Sequence, residues 1–424
     1  MKKKSVQLLL ISGTLLFIAA CQKGLDTPLT PHEEISSASN RNTQKEKKKI
    51  YVSSLDELYA AVNNPGNAGT EVVIDPGNYV LNASYPNGGR LELQTNMSLR
   101  GQPGQVDAVL IDESALPNSS FFLTPGLGTG GIRMGRSANN LEWLTLKGGS
   151  LAVNPFSTIE IDLPSTETFI GISHVKVLAN GNRIGIAIRN RLAEHSGRKI
   201  HAELNDNEIT GAVTAVGFGV NILNFNGATN SSIYVTMNQN YIHGNRVGII
   251  AGNAAAFSPM QNSTIKIESY ADKLEGNGCG LDPSAGVCQN APNPATHNMT
   301  TIEMHGTVIE DNNPSGMPQL TPVNGALPGG IYATCAYNAL NNINGYNLAS
   351  NNTMKLSFYG CHISNNNGTD INAFAAWCSP ATVLAGSNNL LEIYLHGISA
   401  DATVAATASS PAEPVGTNVL NIHR

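Results

Sequence analysis

The sequence predicts an all-β chain, a right-handed parallel β-helix solenoid with a short N-terminal capping helix. Three observations carry this. A short phrase recurs at a nearly constant interval, the 375 residues after Lys49 exceed what one compact core usually holds, and charge is scarce at 13% beside 42 glycines and abundant asparagine. A surface wetted by amides and hydroxyls suits turns stacked on turns.

The helix comes first. Ser54-Leu55-Asp56-Glu57 has the form of a capping box, and Leu55, Leu58 and Val62 follow at helical spacing, ending near Asn63-Asn64-Pro65-Gly66. Glu71-Val72-Val73-Ile74 reads as a strand, Asp75-Pro76-Gly77-Asn78 as a turn, and Tyr79-Val80-Leu81 as a second strand.

The phrase runs Asn207-Glu208-Ile209, Asn240-Tyr241-Ile242-His243-Gly244-Asn245, Lys273-Leu274-Glu275-Gly276-Asn277, Val308-Ile309-Glu310-Asp311-Asn312 and His362-Ile363-Ser364-Asn365-Asn366. With Ile209, Ile242, Leu274, Ile309 and Ile363 as equivalents, the steps are 33, 32, 35 and 54 residues. Asn245, Asn277, Asn312 and Asn366 each stand three residues further on, and Ala212 is the exception. The apolar residue is expected to point inward and stack on its counterpart one coil away. The Asn is expected to take left-handed backbone geometry at the turn or to bond the next amide in a ladder. Alternating strands precede the phrases, as in Ile233-Tyr234-Val235-Thr236-Met237, and others follow, as in Val247-Gly248-Ile249-Ile250. Three short parallel strands per turn result. An insertion near residues 314–352 accounts for the long step. A sandwich or propeller is disfavoured because no series of Asn-Gly hairpins occurs.

The order of the helix with Leu58 and Ala61, then a strand, Pro76-Gly77 and Tyr79, resembles the start of pectate-lyase-like (pectin lyase fold) β-helix proteins, in which the helix plugs the open end. The resemblance spans Tyr51 to about His396 and implies fold more than activity.

The leader carries Met1-Lys2-Lys3-Lys4 and an apolar run too short to span a bilayer comfortably, then Ile18-Ala19-Ala20-Cys21. This resembles the lipobox of bacterial lipoproteins. It implies a signal peptide at residues 1–20, a lipid on Cys21 and membrane attachment. Residues 22–49 read as a flexible polar stalk, and 50–424 as the β-helix domain. Gln22 after the cysteine favours the outer membrane, facing the periplasm or the medium.

From Tyr51 on there are 16 basic and 27 acidic residues, net −11, which makes nucleic acid a poor partner. Eleven of those basic residues lie between Arg90 and Lys199, so a site for an anionic ligand is expected on the N-terminal half. The chain is expected to be monomeric.

Polysaccharide lyases on this fold need an Arg or Lys base and a cation, often calcium, to neutralise a uronate. The densest stretch offers Arg183, Arg189, Arg191 and His195 as catalytic candidates, with Arg189 and Arg191 on one strand face and Arg133 and Arg136 from an earlier coil completing a cationic groove for substrate. Asp206 and Glu208 are candidate metal ligands; Asp206 with Glu208, and Glu310 with Asp311, recur at related coil positions and also leave open a two-carboxylate glycoside hydrolase. The competing expectation is that these charges only pair with one another or face solvent. The chain carries no paired-Asp and Gly-His-Gly set of polygalacturonases and no Arg-x-Pro-x-x-Arg of pectate lyases, so enzymatic activity stays open; for an enzyme, a lyase is favoured over a hydrolase. His305, Tyr359 and His396 fall at like positions and form either a coil-locking stack or a sugar platform. Of the five later cysteines, Cys279 and Cys288 are the first choice for a disulfide, with zinc the alternative. Two functions follow: an envelope protein that binds and perhaps cleaves an extracellular polysaccharide, or a non-catalytic surface, adhesion or structural β-helix protein.

Overall fold

The Asn-to-Asn interval becomes one circuit of a solenoid in a computed structural model, which describes residues 47–116, 130–148, 157–181, 184–213, 217–255, 258–288, 293–314, 328–338, 349–375, 377–378, 386–399, 402–407 and 417–424. The leader, Cys21 and most of the stalk lie outside the described residues. Among the described residues, no helix is long and apolar enough to cross a membrane.

The helix Leu55–Val62 closes the N-terminal end. Ser54 Oγ accepts from Glu57 N at 3.3 Å and the Glu57 carboxylate accepts from Ser54 N at 3.1 Å, so the expected capping box forms. Leu58, Tyr59, Ala61 and Val62 are buried beneath it. Tyr59 Oη also donates to Gly89 O at 2.6 Å, tying the plug to the second coil segment.

All registered strand pairs are parallel. Two columns of strands merge into one bent sheet, because the long strands Ala138–Lys147 and Glu167–Leu178 run through both. A separate second sheet stacks Leu91–Glu92, Gly130–Met134, Ser157–Ile161, Ile184–Asn190, Phe218–Phe225 and Val247–Ala255 in order. Ile209, Ile242, Leu274, Ile309 and Ile363 pair in the expected succession and are fully buried. Inside the long last step, Pro328–Thr334 and Ala336–Asn338 pair as ordinary members of the second sheet, so the added length is not one block.

The Asn ladder forms as well. Asn277 Oδ1 accepts from Asn245 N and Nδ2 at 3.0 and 3.1 Å, Asn312 does the same for Asn277, and Asn366 for Asn312. Ala212 ends it, donating its N–H to Asn245 Oδ1 at 3.0 Å. The ladder asparagines are not themselves the left-handed residues; Gly244, Gly276, Asp311 and Asn365, one position earlier, take that geometry. Another corner does likewise through His174, Asp206, Gln239, Ala271, Gly306, Gly360 and Gly397.

Close approach at the entrance to the second sheet demands glycine for a different reason. A Cβ on Gly185, Gly219, Gly248 or Gly280 would meet the carbonyl oxygen of the next glycine in the column at 2.6–2.7 Å.

Candidate functional site

On the first coils of the second sheet, inward Ile132, Ile159 and Ile186 alternate with outward charged side chains. Arg133 pairs in register with Glu160, and Ile161 with Ile188, which places Asp162 beside Arg189. The spacing of two between Glu160 and Asp162 therefore matches that between Arg189 and Arg191 one coil later.

The charges meet as that register dictates. Arg133 binds Asp162 Oδ1 through Nε and Nη2 at 3.3 and 3.1 Å and Glu92 Oε2 through Nη1 at 3.0 Å. Arg189 Nη1 lies 3.3 Å from Glu160 Oε1, while its Nε donates to Asn221 Oδ1 at 2.9 Å. Arg191 Nη2 lies 2.9 Å from Asp162 Oδ2, in contact though with its N–H not aimed along that line. Arg136 reaches Glu92. Arg133, Arg189, Arg191, Glu160 and Asp162 are all buried. Burial lowers the Arg189 pKa, opposed by the Glu160 charge beside it.

Thus the four expected arginines converge from separate coils. Three of them, Arg133, Arg189 and Arg191, form a buried network with Glu92, Glu160 and Asp162, so Arg189 and Arg191 lie behind the surface rather than on it, while Arg136 stays partly exposed at its edge. Arg183 lies outside the described residues.

In front of the network is a cleft of about 380 Å³ lined by Thr95, Arg136, Ser165, Glu194, His195 and Arg198, with Leu163 and Pro164 as its apolar wall. His195 Nδ1 accepts the Arg191 backbone N–H at 3.0 Å. That contact commits Nδ1 as an acceptor and leaves Nε2 to carry the proton of the neutral ring, with the Glu194 carboxylate 3.9 Å away. Burial holds its pKa below the ordinary value. Arg136 keeps 42% of its side-chain exposure, and Arg198 is half-buried at the same cleft.

No protein-family model matches the chain, and no curated protein matches it. Among solved structures it is similar to the A-module of mannuronan C-5 epimerase AlgE4 of Azotobacter vinelandii, at TM-score 0.35 and 13% identity over 88% of this chain and 97% of that one. It is similar to the AlgE6 A-module of the same organism at TM-score 0.31 and 13% identity, over 87% and 93%. A PL6 alginate lyase in complex with a trisaccharide matches at TM-score 0.33 and 10% identity, over 89% and 84%.

The structure does not gather Asp206 and Glu208 into a metal site. Asp206 occupies a left-handed corner position that other coils fill with Gly306 or Gly360, and Glu208 is engaged by Lys176 at 3.0 Å and His243 at 3.3 Å. Asp311 is likewise a corner residue, and Glu310 pairs with Lys273 at 3.0 Å. These acids serve the backbone and surface pairs, and no group of three metal-ligating side chains occurs among the described residues. A calcium ion held by this set does not fit.

The aromatic rows are stacks. Tyr270, His305, Tyr359 and His396 follow one another with centroids 5.0, 4.7 and 4.9 Å apart, and Phe169, His201 and Tyr234 repeat the pattern at 4.9 and 5.0 Å. Ring faces that cover one another present only edges outward, so these rows lock coils together.

Cys279 and Cys288 do not bridge each other. The stretch between them holds the strands Leu281–Pro283 and Gly286–Cys288, and nine residues of mostly extended chain carry the thiols far beyond the roughly 7 Å Cα separation a bridge tolerates. Cys279 packs with Phe218 and Val247, Cys288 with Ala336 and Ala349.

Sequence reasoning passed over Glu92, Glu160 and Asp162, the acids that pair the arginines. Their signal was present in Thr158-Ile159-Glu160-Ile161-Asp162, an acid pair at strand spacing that mirrors Arg189 and Arg191.

Proposed function

We propose that this chain is an envelope protein that binds an acidic extracellular polysaccharide in the cleft of Arg136, Arg198 and His195. One observation carries the reading: two guanidinium groups, Arg136 and Arg198, and the imidazole of His195 line one open cleft beside a single carboxylate, Glu194, and Arg136 is anchored from behind by Glu92. Arg136 and Arg198 supply the charge that attracts uronate carboxylates, and His195 and Ser165 supply neutral polar groups for hydroxyls. The buried pairs behind hold Arg136 in place through Glu92. A lipid on Cys21 would hold the domain at the outer membrane, a reading supported by Ile18-Ala19-Ala20-Cys21 in the leader.

Affinity electrophoresis in gels containing alginate or polygalacturonate tests the cleft, with ultraviolet detection of unsaturated products as the parallel readout. Retardation that weakens with salt and disappears in Arg136→Ala/Arg198→Ala is the expected result. Unsaturated product would add cleavage to binding; retardation without it marks a non-catalytic surface protein. Unchanged mobility on every acidic polymer would overturn the reading. Labelling with a radioactive fatty acid, lost in Cys21→Ala, tests the anchor.

A further inference from the structure

Among the side chains that line the cleft, Arg136 and Arg198 are cationic and Glu194 is the lone carboxylate. The charge of Arg136 is met from behind by Glu92. Arg198 donates through Nη1 to the Thr166 hydroxyl at 3.2 Å and pairs with no carboxylate among the described residues. Glu194 is 72% exposed, and its Oε1 lies 3.9 Å from His195 Nε2, beyond hydrogen-bond reach. The cleft therefore holds one cation and one anion that do not answer each other.

The backbone beneath Glu194 is fixed. The residue sits in the 3-10 turn Ala193–His195, where His195 N donates to Leu192 O at 2.8 Å and Ser196 N to Ala193 O at 3.1 Å. Ser231 Oγ donates to His195 O at 2.8 Å, and Ser196 Oγ donates to Gly227 O at 2.9 Å. A turn tied at these points holds an exposed carboxylate in a cationic cleft where no contact of the fold requires one. Such an acid weakens any site for a polyanion, unless the ligand is uncharged at that place.

The spacing of the cations fits a ligand of that kind. Ala138, Phe169 and His201 pair in succession, so Arg136 and Arg198, just ahead of the first and the last, stand two coils apart. That is roughly 10 Å at the backbone, about the length of a disaccharide, so the two guanidinium groups meet alternate rings of a polymer lying along the solenoid axis.

We propose that Glu194 determines the specificity of this cleft: Arg136 and Arg198 take uronate carboxylates, while Glu194 accepts the hydroxyls of a neutral ring and repels a carboxylate from its place. The ligand class is an acidic polysaccharide in which uronates alternate with neutral sugars, not one charged on every ring. The proposal rests on the reading of the cleft as a polysaccharide site.

The test is affinity electrophoresis of the full chain in gels containing hyaluronate, whose glucuronates alternate with a neutral acetamido sugar, or polygalacturonate, charged on every ring. The two gels hold equal uronate concentrations, and mobility is scored against a polymer-free gel. The unaltered protein is expected to bind hyaluronate at least threefold more tightly. Glu194→Gln is expected to gain at least threefold on polygalacturonate and nothing on hyaluronate, and rising salt to narrow the difference between the two proteins. Its Tm is expected to stay at the parent value, because the Glu194 carboxylate holds no contact of the fold. Equal retardation by both polymers, a preference for polygalacturonate, or a Glu194→Gln protein with unchanged affinity for polygalacturonate would each overturn this proposal and leave the cleft a polysaccharide site. Retardation by neither polymer would overturn that reading and this proposal with it.

Discussion

Arg133 and Arg191 stand two coils apart and share one carboxylate: Asp162, from the coil between, meets Arg133 on Oδ1 at 3.1 Å and Arg191 on Oδ2 at 2.9 Å. Removing Asp162 leaves two buried guanidinium groups facing each other. Asp162→Ala is expected to destabilise the protein by about 3–5 kcal/mol, the usual cost of breaking a buried pair from one side. Urea unfolding checks it, and a loss under 1 kcal/mol would show that the network is not closed to water.

Asp272 is expected to impose a pH dependence of unusual sign. It takes the place of an asparagine in the row Asn207, Asn240, Asp272, accepting from Asn240 N at 2.7 Å and Nδ2 at 2.8 Å. Burial raises its carboxyl to about 6, partly offset by hydrogen bonds from Ser269 and Asn240. Below pH 4 folded and unfolded chains both hold the proton. As pH rises towards 6 the unfolded chain releases it first, so this group lowers stability by up to about 3 kcal/mol and the loss persists above pH 6. Asp272→Asn is expected to match wild type at pH 4 and to be about 1–3 kcal/mol more stable at pH 7, as read from urea midpoints at both values.

Tyr359 fills the interval between His305 and His396. Tyr359→Ala breaks two ring contacts at about 0.5–1.5 kcal/mol each, whereas Tyr359→Phe keeps both. Thermal melting is expected to drop for the first only, and polysaccharide retardation to be unaffected by either. A retardation defect in Tyr359→Ala would return the stack to the role of a sugar platform.

Cys279 and Cys288 are expected to take up one alkyl group each in denaturant without prior reduction. In the native protein, burial of Cys279 and the raised pKa values of both thiols protect them. Mass spectrometry of tryptic peptides distinguishes this from a 279–288 bridge, which would block both sites until reductant is added.

The inward half of the fold was legible because type of side chain and register coincide: Ile209, Ile242 and Leu274 occupy the same buried place in successive coils, which Leu146 and Val177 fill in earlier ones. The second sheet was less legible. Val247–Ala255 is buried at every position, so no alternation tells inward from outward. The arginine site was half legible. Arg189 and Arg191 announce an outward face by their spacing, but their partners Glu160 and Asp162 lie 29 residues earlier in a sequence whose circuits vary in length. Asp206 misled for a local reason, since an acid that merely fills a left-handed corner, where other coils carry Gln239, Ala271 or Gly306, looks in sequence like an acid required by chemistry.

The column Gly185, Gly219, Gly248, Gly280 sets a ruler on the molecule. With no side chain to wedge them apart, adjacent coils are held at the bare strand spacing, and the distance from the arginine cleft to any later outward position on this face is quantised in whole coils. Excising one circuit between them would move the two places about 4.8 Å closer and leave the internal geometry of each intact. Any function that requires one ligand to touch both would thus be tuned by deleting or duplicating circuits rather than by altering contacts.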